Sequence, residues 1–226
     1  MVAMATGAIV SYDGTANDDD ALALARMLSS DALSLSLAYV RHSHEYDPRR
    51  EEIGQHDAER RLELGAVWLD EPDVGRHIVV DPSTGAGLAR LAAEQDAAII
   101  VFGSDYRTSP GRVEPGGAAQ HLLSGGTVAV AVAQAGLRTA NALVIKTISV
   151  APSEDDTAPQ ETAAALAEAL GATVSAGEDP HADLIIVGSA PSAGKGKIAL
   201  TGAARAKLDS ARSSVLVLPR ETPILL

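Results

Sequence analysis

The sequence predicts an α/β protein with a parallel, Rossmann-like sheet that is built twice in tandem. Short runs of β-branched residues alternate with stretches rich in Ala, Leu and Glu at helical spacing, which is typical of βαβ units. This alternation restarts after Gly136. Two segments, VFGSDYRTSPGRVEPGG at 101–117 and IVGSAPSAGKGKIALTG at 186–202, each place a Gly-Ser pair directly after an apolar strand.

The elements follow in order along the chain. In the first part, strands are predicted over 7–12, 34–40, 77–81, 97–103 and 127–133, with helices near 17–30, 47–65, 85–95 and 116–124. In the second part, strands are predicted near 143–151, 172–176, 182–188 and 213–219, with helices near 159–170 and 201–211. We therefore expect a full domain over 1–137 and a shortened domain over 138–226.

The spacing of the two Gly-Ser segments supports an internal repeat. A distance of 27 residues separates Gly103 from Val130, and the same distance separates Gly188 from Val215, each Val lying in the next apolar strand. The preceding segments, AEQDAAIIVFGS and PHADLIIVGS, also match. A similarity over about 35 residues without a gap indicates a repeat rather than chance.

Composition restricts the partners and the compartment. The 226 residues are 46% hydrophobic, enough to fill a core, and the net charge of −12 disfavours nucleic acid and anionic membranes as partners. The absence of cysteine excludes disulfides and thiolate metal sites and fits a reducing compartment. The start has no basic segment typical of a signal peptide, and no apolar run approaches the roughly 20 residues of a spanning helix, so we expect a cytoplasmic protein.

Two motifs of the first part resemble those of the universal stress protein family. VSYDGTA places Asp13 and Gly14 after the first strand, and VFGS is followed by Gly116-Gly117 and the strand VAVAV. The resemblance covers nearly all of 7–134. It implies a five-stranded α/β domain with an adenine-nucleotide site, so the expected ligand is ATP or AMP, with Mg²⁺ if it is ATP.

The resemblance also implies which residues contact the nucleotide. Glycines let the phosphates approach the backbone, a helix start offers free N–H groups, and Val40 contributes its main chain. The implied ligand-binding residues are Tyr12, Asp13, Gly14, Val40, Gly103, Arg107, Gly116, Gly117 and Ala118.

This chain departs from the family motif at two positions. Tyr106 stands where the middle glycine is typical, and Gly117 stands where Ser or Thr is typical. A ring at Tyr106 could close the cleft. The sequence therefore leaves open a nucleotide-binding stress protein, an interaction protein without a nucleotide and, as a third alternative, a slow nucleotide hydrolase.

The second copy is shorter and differently charged. Asp13 precedes Gly103 by 90 residues, whereas Ser153, at the corresponding turn, precedes Gly188 by only 35. We expect that roughly two strands and two helices are missing, and with them a complete nucleotide pocket. Lys195 and Lys197 make the loop positive, so it either binds an anion or carries two solvated lysines; it is not a P-loop, because Ser189 stands where that motif requires Gly.

The remaining residues that could take part in metal binding or catalysis either have a structural role or form an incomplete site. His42 and His44 lie at the end of the second strand, where a solvated loop is favoured over a two-histidine metal site. The run 18–20, three consecutive Asp, suits the first turn of a helix. No nucleophile, base or metal ligand set is defined, so we expect ligand sensing or partner binding rather than turnover.

The last strand of each copy, 127–133 and 213–219, would expose a β-rich edge if it were unpaired. Family members pair through this strand, and a tandem chain can pair the two internally. We therefore expect the halves to pack as an internal pseudo-dimer with these strands adjacent, and a homodimer of the whole chain only as a secondary possibility.

Overall fold

One sheet of nine strands runs through residues 6–153 and 155–226, the part of the chain that this computed structural model describes. The strands are β1 (Thr6–Ser11), β2 (Leu33–Arg41), β3 (Gly75–Val80), β4 (Ala97–Phe102), β5 (Ala129–Val132), β6 (Thr147–Val150), β7 (Thr173–Val174), β8 (Leu184–Val187) and β9 (Ser214–Val217). The helices are α1 (Ala16–Leu28), α2 (Pro48–Leu69), α3 (Thr84–Glu94), α4 (Gly117–Leu123), α5 (Ala158–Leu170) and α6 (Gly202–Ser210), with a short 3-10 helix at Leu137–Thr139. The predicted α/β class is confirmed.

The strand order is β3-β2-β1-β4-β5-β9-β8-β6-β7. Neighbouring strands are parallel except at the centre, where β5 and β9 are antiparallel and pair Val130 with Val217 and Ala131 with Leu216. The expectation that 127–133 and 213–219 lie side by side is confirmed. We call this antiparallel pair the seam.

The two halves have similar connectivity on either side of the seam. Reading outward, the first half runs β5-β4-β1-β2-β3 and the second half runs β9-β8-β6-β7. Among the described residues the second half has no strand like β3 and no helices like α2 and α3, and β7 has only two residues. The expected loss of two strands is thus corrected to one strand lost and one strand shortened.

Apolar side chains cover both faces of the sheet. On one face the strands pack against α1, α2 and α5, with Leu24, Leu62 and Leu166 in the same cluster. On the other face they pack against α3, α4 and α6. Because successive side chains along β5 and β9 point to opposite faces, the apolar layer on each face continues across the seam. The two halves consequently share the apolar layer on each face of the sheet.

Two predicted helix starts have a clear local cause. Asp47 caps α2 by accepting from the amides of Arg49 and Arg50, and Pro48 takes the first helical position, where no amide hydrogen is needed. Thr15 and Asp18 form a capping box at α1. In the part of the chain described here, every helix is too short or too polar to cross a membrane.

Candidate functional site

The antiparallel seam places the carboxyl ends of the parallel strands of the two halves at opposite edges of the sheet. Ligands of open α/β sheets bind beyond the carboxyl ends of the strands. The structure therefore has two edges to consider. The first-half edge lies beyond β1, β2 and β4, and the second-half edge lies beyond β6 and β8.

The Gly-Ser pair after β4 acts as a structural joint. Ser104 is 4% exposed; its Oγ donates to the carbonyl of Ala133 at 2.6 Å and accepts from the amide of Glu114 at 3.2 Å. Gly103 packs against the first turn of α1, because a Cβ at this position would lie only 2.0 Å from the carbonyl oxygen of Asn17. The close packing of α1 on β4 is therefore sufficient to explain why residue 103 is glycine.

The Gly-Ser pair after β8 repeats the same bonds. Ser189 is also 4% exposed, and its Oγ donates to the carbonyl of Leu218 at 2.7 Å and accepts from the amide of Ala199 at 3.3 Å. A Cβ at Gly188 would lie 2.8 Å from Cγ of Pro159, in the first turn of α5. The repeated sequence motif thus corresponds to a repeated hydrogen-bonded joint.

The turn after β1 is held by its own side chains. Asp18 Oδ2 accepts from the amide of Asp13 at 2.9 Å and from Oγ1 of Thr15 at 2.9 Å. Gly14 has a φ of +89°, a left-handed conformation that favours glycine. Arg61 of α2 donates to the carbonyl of Asp13 at 2.6 Å. The Asp13 side chain is exposed at the first-half edge.

Ionisation of this turn is perturbed by burial. Burial, together with the hydrogen bond and charge of the adjacent Asp13 carboxyl, raises the pKa of Asp18 to about 7. Burial and the Asp19 carboxylate raise the pKa of Tyr12 to about 12. The Tyr12 ring is 5% exposed and packs against Gly65 of α2, so only its main chain is available at this edge.

The loop after β4 folds back, so that α4 begins at the first-half edge. Ser104 bridges to Pro115, and the amide of Asp105 donates to the carbonyl of Glu114 at 2.7 Å. Gly116 and Gly117 then begin α4, and a Cβ built at either would meet no heavy atom within 4 Å. An open space therefore faces these glycines.

The other predicted residues occupy different environments. Val40 is 6% exposed in the core and can offer only its main chain, and Ala118 is half-buried in α4. Arg107 is exposed; its guanidinium lies 4.8 Å from the centre of the Tyr106 ring, and its Nε donates to the Tyr106 hydroxyl at 2.6 Å. Tyr106 itself is 72% exposed, so its ring lies in solvent with Arg107 rather than packed into the turn.

The second-half edge contains a cavity of about 440 Å³ between the ends of β6 and β8 and the start of α6. Glu178 and Lys207 line this cavity and pair with each other at 2.7 Å, and no motif of the sequence marks either residue. Lys195 and Lys197, the lysines of the positive loop, are exposed and are not among its lining residues. Lys207 could have been recognised by its position one turn into the helix that starts after Thr201.

The predicted metal candidates have protein partners. His42 Nδ1 lies 3.3 Å from the carbonyl of Pro82, and His44 Nδ1 lies 3.0 Å from Glu51. Glu51 also accepts two bonds from the buried Arg41, at 2.7 and 2.9 Å, and these bonds lower the pKa of Glu51 to about 2. No group of three or more His, Asp or Glu suited to a metal ion occurs among the residues described.

Comparison with solved structures identifies the fold. A universal stress protein from Archaeoglobus fulgidus DSM 4304 matches with a TM-score of 0.70 at 13% identity, over 95% of this chain and 98% of that one. A putative universal stress protein from Pseudomonas aeruginosa UCBPP-PA14 matches at 0.57 and 13% identity, over 97% and 94% of the two chains. A functionally unknown protein, PA1789 from Pseudomonas aeruginosa PAO1, matches at 0.57 and 12% identity, over 96% and 93%.

These likenesses extend through both halves of the chain. No protein-family model and no curated protein sequence matches it. The chain therefore has the Rossmann-like fold of the universal stress proteins, as the sequence motifs predicted.

Proposed function

We propose that this chain is a universal-stress-type protein that binds an adenine nucleotide, ATP or AMP, at the first-half edge and acts as a ligand sensor or regulator in the stress response. The observation that carries the proposal is the open space in front of Gly116 and Gly117. These glycines start a helix at the edge where the Asp13 turn and Gly103 also lie. A helix start with exposed amides suits phosphate oxygens.

The neighbouring residues supply the remaining contacts of the proposed site. The main chain at Val40 would contact the base, and Asp13 would face the nucleotide, with Mg²⁺ if the ligand is ATP. Arg107 is exposed near the same loop and can approach an anion. We propose that this site binds its ligand without turnover.

The test measures nucleotide in the protein as purified and then by titration. Mass spectrometry of the denatured supernatant should detect ATP or AMP, and calorimetry should show that Asp13→Ala weakens binding at least tenfold, about 1.4 kcal/mol. Gly117→Ser, which supplies a hydroxyl at the start of α4, should tighten ATP binding. The proposal would be overturned if no nucleotide copurifies and if neither the wild type nor the Gly117→Ser variant binds ATP.

The alternative is an interaction protein without a nucleotide. Two observations favour it: Gly117 has no hydroxyl to offer a phosphate, and the main chain of Asp13 is already held by Asp18 and Arg61. Calorimetry separates the two, because an interaction protein would bind no ATP in the wild-type chain.

We further propose that the chain is a tandem of a full domain, 1–137, and a shortened domain, 138–226, located in the cytoplasm. The same connectivity in β5-β4-β1-β2 and in β9-β8-β6-β7 supports the tandem. Pairing at the seam would make each chain an internal pseudo-dimer. A homodimer would then require another surface.

A further inference from the structure

The outer face of α2 has an exposed apolar stripe. Its members, Ile53, Leu64 and Val67, are 61%, 58% and 71% exposed. Leu64 follows Ile53 by about three turns and Val67 follows Leu64 by about one turn, so the three side chains lie along one face of the helix. A single exposed apolar side chain is ordinary on a protein surface. A stripe of three is not, because the outer face of a helix that packs on a sheet is normally polar.

The stripe points away from the core of its own chain. Leu62 is 1% exposed and belongs to the apolar cluster between α2 and the sheet. Ile53 precedes Leu62 by about two and a half turns and therefore lies on the opposite side of the helix. The stripe thus does not contribute to this cluster. Its burial against another molecule would remove apolar surface from water, which is favourable.

Charged residues are arranged in a regular order along the same face. Two arginines, at 49–50, precede the stripe, and two acids, at 70–71, follow it. Asp57 and Arg60 lie in its middle, both are more than half exposed, and they pair at 3.1 Å. An exposed pair of this kind is weak, so its members can exchange partners at little cost.

This order of charges is complementary to itself. If a second copy of α2 lies antiparallel across the stripe, with a two-fold axis between Asp57 and Arg60, each of these residues faces the other in the second copy. Ile53 lies as far before this axis as Leu64 lies after it, so these two residues also face each other across it. The basic end of each helix approaches the acidic end of the other. One contact therefore pairs apolar with apolar and basic with acidic side chains.

The charge of α2 permits such a contact although the whole chain is acidic. The net charge of −12 opposes the approach of two copies through most of their surface. In α2, by contrast, four arginines stand against five acids. This helix is therefore nearly neutral and is a favourable place for two copies to meet.

We propose that two copies of this chain form a homodimer through the outer faces of their α2 helices, which lie antiparallel about a two-fold axis between Asp57 and Arg60. The seam leaves this face free, because β5 and β9 pair within one chain. The stripe is about 21 Å long, which places the contact at the low end of the size range of specific interfaces. We expect a dimer that dissociates at micromolar concentrations. The dimer does not require a nucleotide at the first-half edge.

The first experiment measures the mass of the full chain by sedimentation velocity and light scattering over a range of micromolar concentrations. The mass should rise from that of one chain to that of two. Leu64→Glu should weaken association at least tenfold, because the change occurs twice in a two-fold interface. Leu225→Glu is the matched control, since Leu225 is 66% exposed and lies outside α2, and it should weaken association less than twofold. Circular dichroism checks that both variants are folded.

The second experiment tests the two-fold arrangement with the central charges. Asp57→Arg alone and Arg60→Asp alone should each weaken self-association, because like charges then face each other across the axis. An equimolar mixture of these two variants should form a heterodimer at least as tightly as the wild type forms its homodimer, because every arginine again faces an aspartate. Native mass spectrometry distinguishes the species by mass.

Three outcomes would overturn the proposal. The first is a wild-type chain that stays monomeric throughout the concentration range, which would leave the stripe to a different partner. The second is equal weakening of association by Leu64→Glu and Leu225→Glu. The third is a heterodimer no tighter than the homodimers of the two charge variants, and this measurement remains informative even if Leu64→Glu fails to fold.

Discussion

Asp20 connects the first helix to the segment that joins the two halves. Its carboxylate is 1% exposed and accepts from the amides of Gly136 and Arg138 and from Nη1 of Arg138, each at 2.8 Å. Its neighbour Asp18 caps α1 instead. The three consecutive Asp thus point in different directions, as the geometry of a helix requires.

Removing Asp20 should be costly because it leaves three partly buried donors without their acceptor. We expect Asp20→Ala to lower the free energy of unfolding by about 3–5 kcal/mol, measured by urea denaturation. Arg138→Ala should cost less, about 1.5–3 kcal/mol, because the two amides still satisfy the carboxylate. Asp31→Ala, an exposed control just after α1, should have an effect within about 0.5 kcal/mol. A loss for Asp20→Ala no larger than for this control would contradict the anchoring role.

Asp18 should make stability depend on pH between about 4 and about 7. Its pKa in the folded chain is about 7, well above the ordinary value of 3.8, so the folded state binds the proton more tightly. The resulting stabilisation is complete below pH of about 4 and is lost as pH rises through about 7. Asp18→Asn should remove this decline.

The measurement compares unfolding free energies of the wild type and Asp18→Asn at several pH values, together with an NMR titration of the Asp18 carboxyl carbon. Asp13→Asn should lower the Asp18 midpoint, because a neighbouring carboxyl is then absent. An Asp18 midpoint near the ordinary value in the wild type would show that this environment does not perturb the group.

At the scale of elements, the two Gly-Ser joints hold a strand end, the following loop and the next strand together. Each serine fills the same role with the same spacing: 29 residues separate donor and acceptor in both copies. Ser104→Ala or Ser189→Ala leaves a buried carbonyl and an amide without their partner. The glycines before them let α1 and α5 pack closely on the strand ends.

We expect each of the two Ser→Ala changes to lower the free energy of unfolding by about 1–3 kcal/mol. Because they lie in different halves, the losses should add in the double variant. Ser124→Ala is the control, since this exposed hydroxyl makes only one bond, to the carbonyl of Gln120. If neither joint variant is less stable than the control, the hydroxyls do not hold the joints.

At the scale of the whole molecule, the seam merges two small sheets into one. Val130 lies opposite Val217, and Ala131 lies opposite Leu216. Val130 and Val217 belong to one apolar layer, whereas Leu216 belongs to the other. The antiparallel pair removes the exposed strand edge that either half would have alone.

Cysteines at 130 and 217 should form an intramolecular disulfide when the chain refolds under oxidising conditions, because directly opposed residues on one face of an antiparallel pair have the shortest distance between their Cβ atoms. The natural chain has no cysteine to interfere. The matched control places cysteines at 130 and 216, which face opposite sides of the sheet and should bond poorly. Nonreducing electrophoresis and intact mass measure both. Equal yields in the two variants, or only intermolecular products, would contradict this register.

The alternation of strands and helices and the pairing of the last strands could be predicted from the sequence, because these features depend on local periodicity and on edges that must be covered. Contacts between segments far apart in the chain could not be predicted from the sequence. The tight packing of Gly103 on α1, the anchoring of residues 136–138 by Asp20 and the exposed position of Tyr106 depend on segments far apart in the chain. The pairing of Lys207 with Glu178 is of the same kind, because Lys207 lies in α6 and Glu178 lies in the connection from β7 to β8, and these two segments meet only in the folded chain.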